Sequence, residues 1–125
     1  MKAKFEVIFL DEAIDFIEKI DNKSKTKIFY NIDKAKYTND PKLFKKLNDE
    51  IWEFRTKYNK LQHRLLSFWD KTEKEETLVL ATHGFIKKTD KVSKSEIDKA
   101  EKIRLEYFKQ KNRRNKRWEQ KHLNN

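Results

Sequence analysis

The chain has no cysteine, one glycine and one proline among its 125 residues. The absence of cysteine excludes disulfides and thiolate metal sites and is typical of a reducing compartment, so a cytoplasmic protein is expected. One glycine cannot build a Walker loop or a dinucleotide-binding loop. The sequence lacks the apolar stretch of a signal peptide and any run near the roughly 20 apolar residues of a membrane span. No membrane association is therefore expected.

Metal-binding patterns are also missing. The three histidines, His63, His83 and His122, do not have the spacing of a metal site. No carboxylate cluster or calcium-binding loop accompanies them. The sequence therefore predicts a protein without a metal ion or other cofactor.

Positive charge is abundant and unevenly placed. Residues 1–50 hold 11 Lys/Arg and 10 Asp/Glu, whereas residues 51–125 hold 20 and 11. A solvated surface is the simplest explanation of scattered lysines, but an asymmetry of this size favours a polyanion partner, nucleic acid or the ribosome. The 9 Phe, 4 Tyr and 3 Trp argue against disorder despite the charge.

The apolar pattern predicts an α+β fold. The expected order is a strand, a helix hairpin, three antiparallel strands and a helix, with strands at residues 4–10, 51–58, 61–70 and 77–85. Leu43, Phe44 and Leu47 are expected to anchor the loop after the hairpin. We therefore expect a twisted antiparallel sheet with helices covering one of its faces.

Polar residues mark the helix starts. Asp11 and Ser24 are expected to cap the first two helices, and Ser93 with Glu96 has the spacing of a capping box for the third. That helix is expected to end near Lys111. The predicted organisation is one domain at residues 1–111 and a basic tail at residues 112–125.

Two arginines face each other in the predicted sheet. A turn centred on Asn59 and Lys60 places Arg55 opposite Arg64. Like charges in this arrangement are unfavourable unless an anion lies between them. Each arginine could instead pair with a local carboxylate, Glu53 or Glu50, although a surface salt bridge is less expected for Arg64 on a central strand.

The third strand of the meander carries a histidine and two lysines. His83 is placed on the side opposite Leu80, and a lone strand histidine is commonly a core residue. The only glycine, Gly84, follows it, and predicts a bulge or a close approach of another group. Lys87 and Lys88 come next, and one of the two is expected to be solvated surface charge.

These residue types suit metal-free cleavage of RNA. In that reaction the ribose 2′-hydroxyl attacks the adjacent phosphorus and a cyclic phosphate forms. Arginine can bind two phosphate oxygens at once, and histidine can transfer a proton near neutral pH. The candidate catalytic residues are Arg64, Arg55, His83 and Lys87.

The tail is a second basic segment. Residues 109–121 hold seven Lys/Arg and one Glu, together with Trp118. Such segments contact RNA or the ribosome, although a partner protein or simple solubility would also explain the charge. The candidate RNA-binding residues are Lys57, Lys88, Lys91, Arg113, Arg114, Lys116 and Arg117.

The order and spacing of five segments resemble the RelE/HigB superfamily of type II toxin–antitoxin toxins, in its phage-derived HigB-like branch. The segments are LNDEIWEFR at 47–55, HRLL at 63–66, LATHGFIKK at 80–88, EIDKA at 96–100, and Arg104 with Tyr107. The resemblance covers about residues 4–110. It does not include the tail.

The resemblance implies the small RelE-like fold and a ribosome-dependent endoribonuclease that cuts mRNA in the A site. It also implies inhibition by a helix-turn-helix, HigA-like antitoxin. The family's arginine after the hairpin corresponds to Arg64, that of the preceding strand to Arg55, and its basic strand-end residues to Lys87 and Lys88. His63 stands where the family usually has tyrosine. The role of His83 in proton transfer is our own hypothesis.

Two other functions are compatible with the same sequence. A non-catalytic protein that binds RNA or the ribosome would use the same basic surface. A DNA-binding accessory protein would need a recognition helix, and the basic final helix keeps that possibility open.

Overall fold

The computed structural model describes residues 2–73 and 77–123. The elements are β1 Glu6–Phe9, α1 Asp11–Lys19, α2 Asn22–Ala35, β2 Phe44–Lys46, β3 Trp52–Tyr58, β4 Leu61–Asp70, β5 Leu78–Lys87 and α3 Lys94–Leu123. The predicted α+β class is confirmed. Strand β2 lies where the sequence predicts a loop, and part of the loop between β4 and β5 lies outside the described residues. No described helix is both long and apolar enough to cross a membrane.

The five strands form one sheet in the order β1-β5-β4-β3-β2. Strands β2 to β5 pair antiparallel, as predicted, but β1 pairs parallel with β5. Parallel pairing needs a long connection between the two strands, and here the helix pair and three strands provide it. The sheet is therefore mixed rather than antiparallel throughout.

Helices α1 and α2 cover one face of the sheet. Ile17 of α1 and Ile28 and Ile32 of α2 pack with Phe54 and Leu65 of the sheet. Asp21 caps α2, since its Oδ1 accepts a hydrogen bond from the Ser24 backbone N–H at 2.6 Å. The prediction that Ser24 caps this helix is thus wrong, because Ser24 donates its backbone N–H to the cap residue Asp21. The predicted cap Asp11 is also wrong, because Leu10 occupies the N-cap position of α1.

Helix α3 covers the opposite face, so the expectation that helices lie on one face only is wrong. Ala100 packs in a second core with Leu66, Phe68 and Leu80. Leu65 and Leu66 are both buried because successive residues of a strand point to opposite faces. The Ser93 cap is confirmed by a 3.3 Å hydrogen bond from the Glu96 N–H to Ser93 Oγ.

Helix α3 continues to Leu123, so its predicted end near Lys111 is wrong. The segment after Lys111 contains no proline or glycine and consists largely of Lys, Arg, Gln, Glu and Asn. Nothing in it breaks a helix that the packed first half has already nucleated. The basic tail is a helical continuation of α3.

A two-residue turn at Asn59 and Lys60 joins β3 and β4, with φ of 52° and 66°. Positive φ at both central residues matches the right-handed twist of a hairpin. The turn places Arg55 opposite Arg64 and Glu53 opposite Leu66, as predicted. Register in this part of the sheet therefore follows directly from the sequence.

Candidate active site

Three adjacent strands present a grid of side chains on the α3 face of the sheet. Residues that lie opposite one another in neighbouring strands point to the same face. The strand register forms three rows: Lys57, Gln62 and Lys87; Arg55, Arg64 and Phe85; Glu53, Leu66 and His83. We call these nine residues the site grid. It contains the four candidate catalytic residues, Arg55, Arg64, His83 and Lys87.

A β-bulge places His83 in the grid. Leu66 pairs with His83 but Ser67 pairs with Ala81, so Thr82 has no partner in β4. An extra residue reverses the alternation of side chains beyond it. The prediction that His83 and Leu80 point to opposite faces of the sheet is therefore wrong, since both side chains lie on the α3 face.

Glu53 lies between the two arginines. Its Oε1 is 3.4 Å from Arg55 Nε and its Oε2 is 3.5 Å from Arg64 Nε. The Glu53 side chain is 3% exposed. The anion required between the two guanidinium groups is thus supplied by the protein itself. Arg64 does have a carboxylate partner, but the ion pair is buried rather than on the surface.

The two arginines differ in their access to solvent. The Arg64 side chain is 3% exposed, and its Nη atoms donate to the His63 carbonyl and to Gln62 Oε1, each at 3.1 Å. The Arg55 side chain is 29% exposed and donates to the Pro41 carbonyl at 3.2 Å. Burial lowers the pKa of Arg64, and the positive charge of Arg55 lowers it further. The Glu53 carboxylate raises the pKa and so opposes both effects. A phosphate can approach Arg55 directly, whereas Arg64 lies beneath the surface.

His83 is buried next to α3. The Thr82 hydroxyl donates to the Leu66 carbonyl at 3.1 Å and lies 3.0 Å from His83 Nδ1. Nδ1 and the Thr82 hydroxyl share a hydrogen bond whose direction depends on the tautomer of the ring. Nε2 lies 3.5 Å from Glu96 Oε1. Burial lowers the pKa of His83 against the opposing effect of Glu96, so the ring is neutral at pH 7.

The lysines around the grid are more open. Lys57, Lys88 and Lys91 are exposed and Lys87 is half-buried. Within residues 2–73 and 77–123, none of these four ammonium groups has an ion pair or hydrogen bond. They can therefore bind a phosphate without first losing a protein partner.

The basic tail lies away from the grid. Helix α3 begins beside His83 and passes Asp70, at the other end of β4, where Tyr107 donates to the carboxylate. At about 1.5 Å per residue, the helix carries Arg113 roughly 25 Å from Glu96. Residues 112–121 are exposed. The structure does not bring Arg113, Arg114, Lys116 and Arg117 together with the catalytic candidates.

Asp70 is a polar residue that the sequence did not single out. The Tyr107 hydroxyl and Lys111 Nζ donate to its Oδ2 at 2.7 and 2.8 Å, and the Thr72 hydroxyl donates to Oδ1 at 2.6 Å. Asp70 is fully buried. Burial would raise its pKa, but the hydrogen bonds from Lys111, Thr72 and Tyr107 outweigh this and hold the pKa far below 3.8. The cluster fastens α3 to β4.

Glu53 and Glu96 also escaped prediction as site residues. The sequence indicates Glu53 only as a possible partner of the two arginines, and Glu96 only as part of a capping box and of the EIDKA segment. Their roles depend on the bulge and on the position of α3, which the local sequence does not reveal. No group of three His, Cys, Asp or Glu side chains within the described ranges could hold a metal ion.

The chain matches the family model described as Phage derived protein Gp49-like (DUF891) over residues 15–105. The match spans 91 of the 125 residues and includes the whole site grid. It ends before Arg113 and the rest of the basic tail. No curated protein matches the chain significantly.

Proposed function

The chain belongs to the Gp49-like family of phage-derived proteins, a family of toxin–antitoxin (RelE/HigB-like) toxins, and we propose that it is an endoribonuclease toxin. Such a toxin has a cognate antitoxin. The proposed reaction is cleavage of mRNA in the ribosomal A site, which stops translation. The proposed inhibitor is a helix-turn-helix, HigA-like protein. Because the proposed target is the ribosome, the proposed location of the protein is the cytoplasm.

The site grid is the observation that supports this proposal best. It combines two guanidinium groups, two ammonium groups and an imidazole on one face of a rigid sheet. Cations held in fixed positions stabilise the charge that develops on a phosphate during displacement. An imidazole with a pKa below its ordinary value is a proton acceptor at neutral pH.

The proposed reaction proceeds in one displacement. The 2′-oxygen forms a bond to phosphorus, the bond from phosphorus to the 5′-oxygen breaks, and a 2′,3′-cyclic phosphate and a free 5′-hydroxyl result. A base must take the 2′-hydroxyl proton and an acid must protonate the departing 5′-oxygen. Lys87 is the accessible acid. His83 Nε2 is the candidate base, and it reaches substrate only when Glu96 and the first turn of α3 move.

Arg55 and Lys87 are proposed to bind the phosphate directly, since both reach solvent. Arg64 is proposed to stabilise the transition state from beneath, after Gln62 moves from its guanidinium group. Lys57, Lys88 and Lys91 are proposed to hold the adjoining RNA. Arg113, Arg114, Lys116 and Arg117 are proposed to contact a separate part of the ribosome, because they lie away from the grid.

A non-catalytic protein that binds RNA or the ribosome is the second candidate. It is favoured by the burial of Arg64 and His83, each 3% exposed, because catalytic groups must reach the reacting atoms. In this alternative both residues stabilise the sheet and the exposed lysines bind RNA.

Cleavage of ribosome-bound mRNA by single variants separates the two functions. Arg55→Ala and Lys87→Ala are expected to lower the cleavage rate by about 100-fold or more and to abolish growth arrest. Both variants should still bind ribosomes, because the other basic residues remain. Lys102→Ala, at an exposed lysine of α3, is the control and should cleave normally. Growth arrest without mRNA cleavage in the unmodified protein would support the binding function instead.

A further inference from the structure

A cavity of about 500 Å³ lies near the tip of the β3–β4 hairpin. It is lined by Asn22, Lys23, Thr26, Lys27, Tyr30 and Tyr58. Tyr58 follows the alternation of Phe54 and Thr56, which point to the face covered by α1 and α2. The cavity therefore lies on the face of the sheet opposite the site grid.

We propose that this cavity binds a base of single-stranded RNA next to the cleaved phosphodiester. The proposal rests on the proposed function, which makes RNA the ligand. Tyrosine rings bind bases by stacking, without regard to base identity. Tyr30 is 59% exposed, so its ring is accessible to a ligand. Lys27 Nζ lies 5.0 Å from its ring centroid.

The charge of the cavity suits a phosphate backbone. The charged residues among its described lining, Lys23 and Lys27, are both cationic. Helix α2 has no acidic residue in its first turn. The N-cap Asp21 already places a carboxylate at this end of α2, so the attraction for a phosphate comes from Lys23 and Lys27 rather than from the helix terminus.

The cavity and the site grid adjoin each other across the hairpin. Lys57 belongs to the grid and the next residue, Tyr58, lines the cavity. The turn between the two surfaces contains Lys60, whose φ of 66° is strained for a residue other than glycine. A lysine kept at a position that favours glycine adds positive charge at this point. An RNA strand that crosses the tip contacts Lys57, Lys60 and the tyrosines in order.

Binding of a fluorescein-labelled 2′-O-methyl RNA tests the proposal with the full chain. The methyl group blocks the attacking oxygen, so binding is measured without cleavage. Tyr30→Ala is expected to weaken binding about tenfold, as loss of one base stack does. Tyr37→Ala is the matched control, because Tyr37 is 43% exposed but does not line the cavity. It should bind like the unmodified protein.

Tyr58 provides a second comparison. Tyr58→Phe should retain binding and Tyr58→Ala should weaken it, because the ring rather than the hydroxyl makes the stack. Lys23→Ala should reduce the slope of log affinity against log salt by about 0.7. Unchanged RNA affinity in Tyr30→Ala and Tyr58→Ala overturns the proposal, and so does loss of antitoxin binding alone, which assigns the surface to a protein.

The test of the base-binding cavity can fail independently of the test of the proposed nuclease activity. If the protein cleaves mRNA but Tyr30→Ala binds RNA normally, the base site is wrong and the nuclease stands. If Tyr30→Ala loses RNA affinity but no cleavage occurs, the base site stands and the nuclease is wrong.

Discussion

Arg64 lies directly opposite Arg55 in the ladder between β3 and β4, and both guanidinium groups face one carboxylate, that of Glu53. Two adjacent cations would repel each other without this anion. The carboxylate holds the cations in place before any substrate arrives. In the proposed reaction the phosphate competes with this internal anion, and Arg64 Nη2 reaches the phosphate only after Gln62 moves.

Replacing Glu53 by glutamine removes the anion but keeps the shape of the side chain. Loss of one partner of a buried ion pair is expected to lower the free energy of unfolding by about 3 kcal/mol. Thermal unfolding should show a correspondingly lower Tm. Glu50→Gln is the control, because Glu50 pairs with Arg104 while 53% exposed, and its loss should cost at most about 1 kcal/mol.

Sulfate provides a further check on the Glu53→Gln variant. A tetrahedral anion can occupy the space between Arg55 and Arg64, and a ligand that binds only the folded state raises its stability. Sulfate should therefore raise the Tm of Glu53→Gln more than that of the unmodified protein. An equal rise of Tm in both proteins would mean that the Glu53 carboxylate does not occupy a position where a phosphate can bind.

The Asp70 cluster predicts a dependence of stability on pH. The pKa of Asp70 is lower in the folded state than its unfolded value of 3.8. Its contribution to stability is therefore complete above that value and is lost as the pH falls through the folded-state pKa. The free energy of unfolding should decrease below about pH 4, as followed by urea denaturation at a series of pH values.

Asp70→Asn should lack this part of the pH dependence. At pH 7 the variant is expected to be less stable by about 2 kcal/mol or more, because the charge-assisted hydrogen bonds from Tyr107 and Lys111 are weakened. Asp33→Asn is a suitable control, since Asp33 is 73% exposed and forms a surface ion pair with Lys36. A variant at Asp70 that follows the same pH curve as the unmodified protein would contradict the assignment.

Local sequence was sufficient for the hairpin but not for the bulge. A two-residue turn and strict alternation fix which residues of β3 and β4 face each other, so the Arg55–Arg64 pair could be predicted. Gly84 predicts a bulge or a close approach of another group, but the bulge lies two residues earlier, at Thr82, and Gly84 itself admits the ring of Phe16. Strict alternation therefore predicts the wrong face for His83 and does not reveal its partner Glu96.

The long helix α3 and the parallel strand β1 illustrate the same limit. The segment after Lys111 has good helix formers but no apolar face, so its helical state depends on the packed turns before it. The direction of β1 relative to β5 depends on a connection of more than 60 residues, between Phe9 and Leu78. Neither feature follows from the apolar pattern of its own segment.

Gly84 is predicted to be required by α1 rather than by backbone conformation. A methyl group on Gly84 would overlap the ring of Phe16. Gly84→Ala is therefore expected to lower the free energy of unfolding by about 1–3 kcal/mol, as overpacking does. Phe16→Leu in the same chain should restore part of the loss, and a double-mutant cycle of urea unfolding would measure the coupling. Additive effects would show that the two residues do not meet.

The pH dependence of cleavage tests whether His83 acts as the base. Burial has the largest effect on the pKa of His83 and lowers it; Lys99 lowers it further, whereas Glu96 raises it. If the neutral ring takes the 2′-hydroxyl proton, Glu96→Gln should shift the acidic limb of the pH–rate profile to lower pH, because the ring stays neutral further into acid. Lys99→Gln should shift the same limb to higher pH. Opposite shifts from two exchanges on one helix would not arise from a general loss of stability. Superimposable profiles for both variants, with cleavage retained in His83→Gln, would assign the histidine a purely structural role beneath α3.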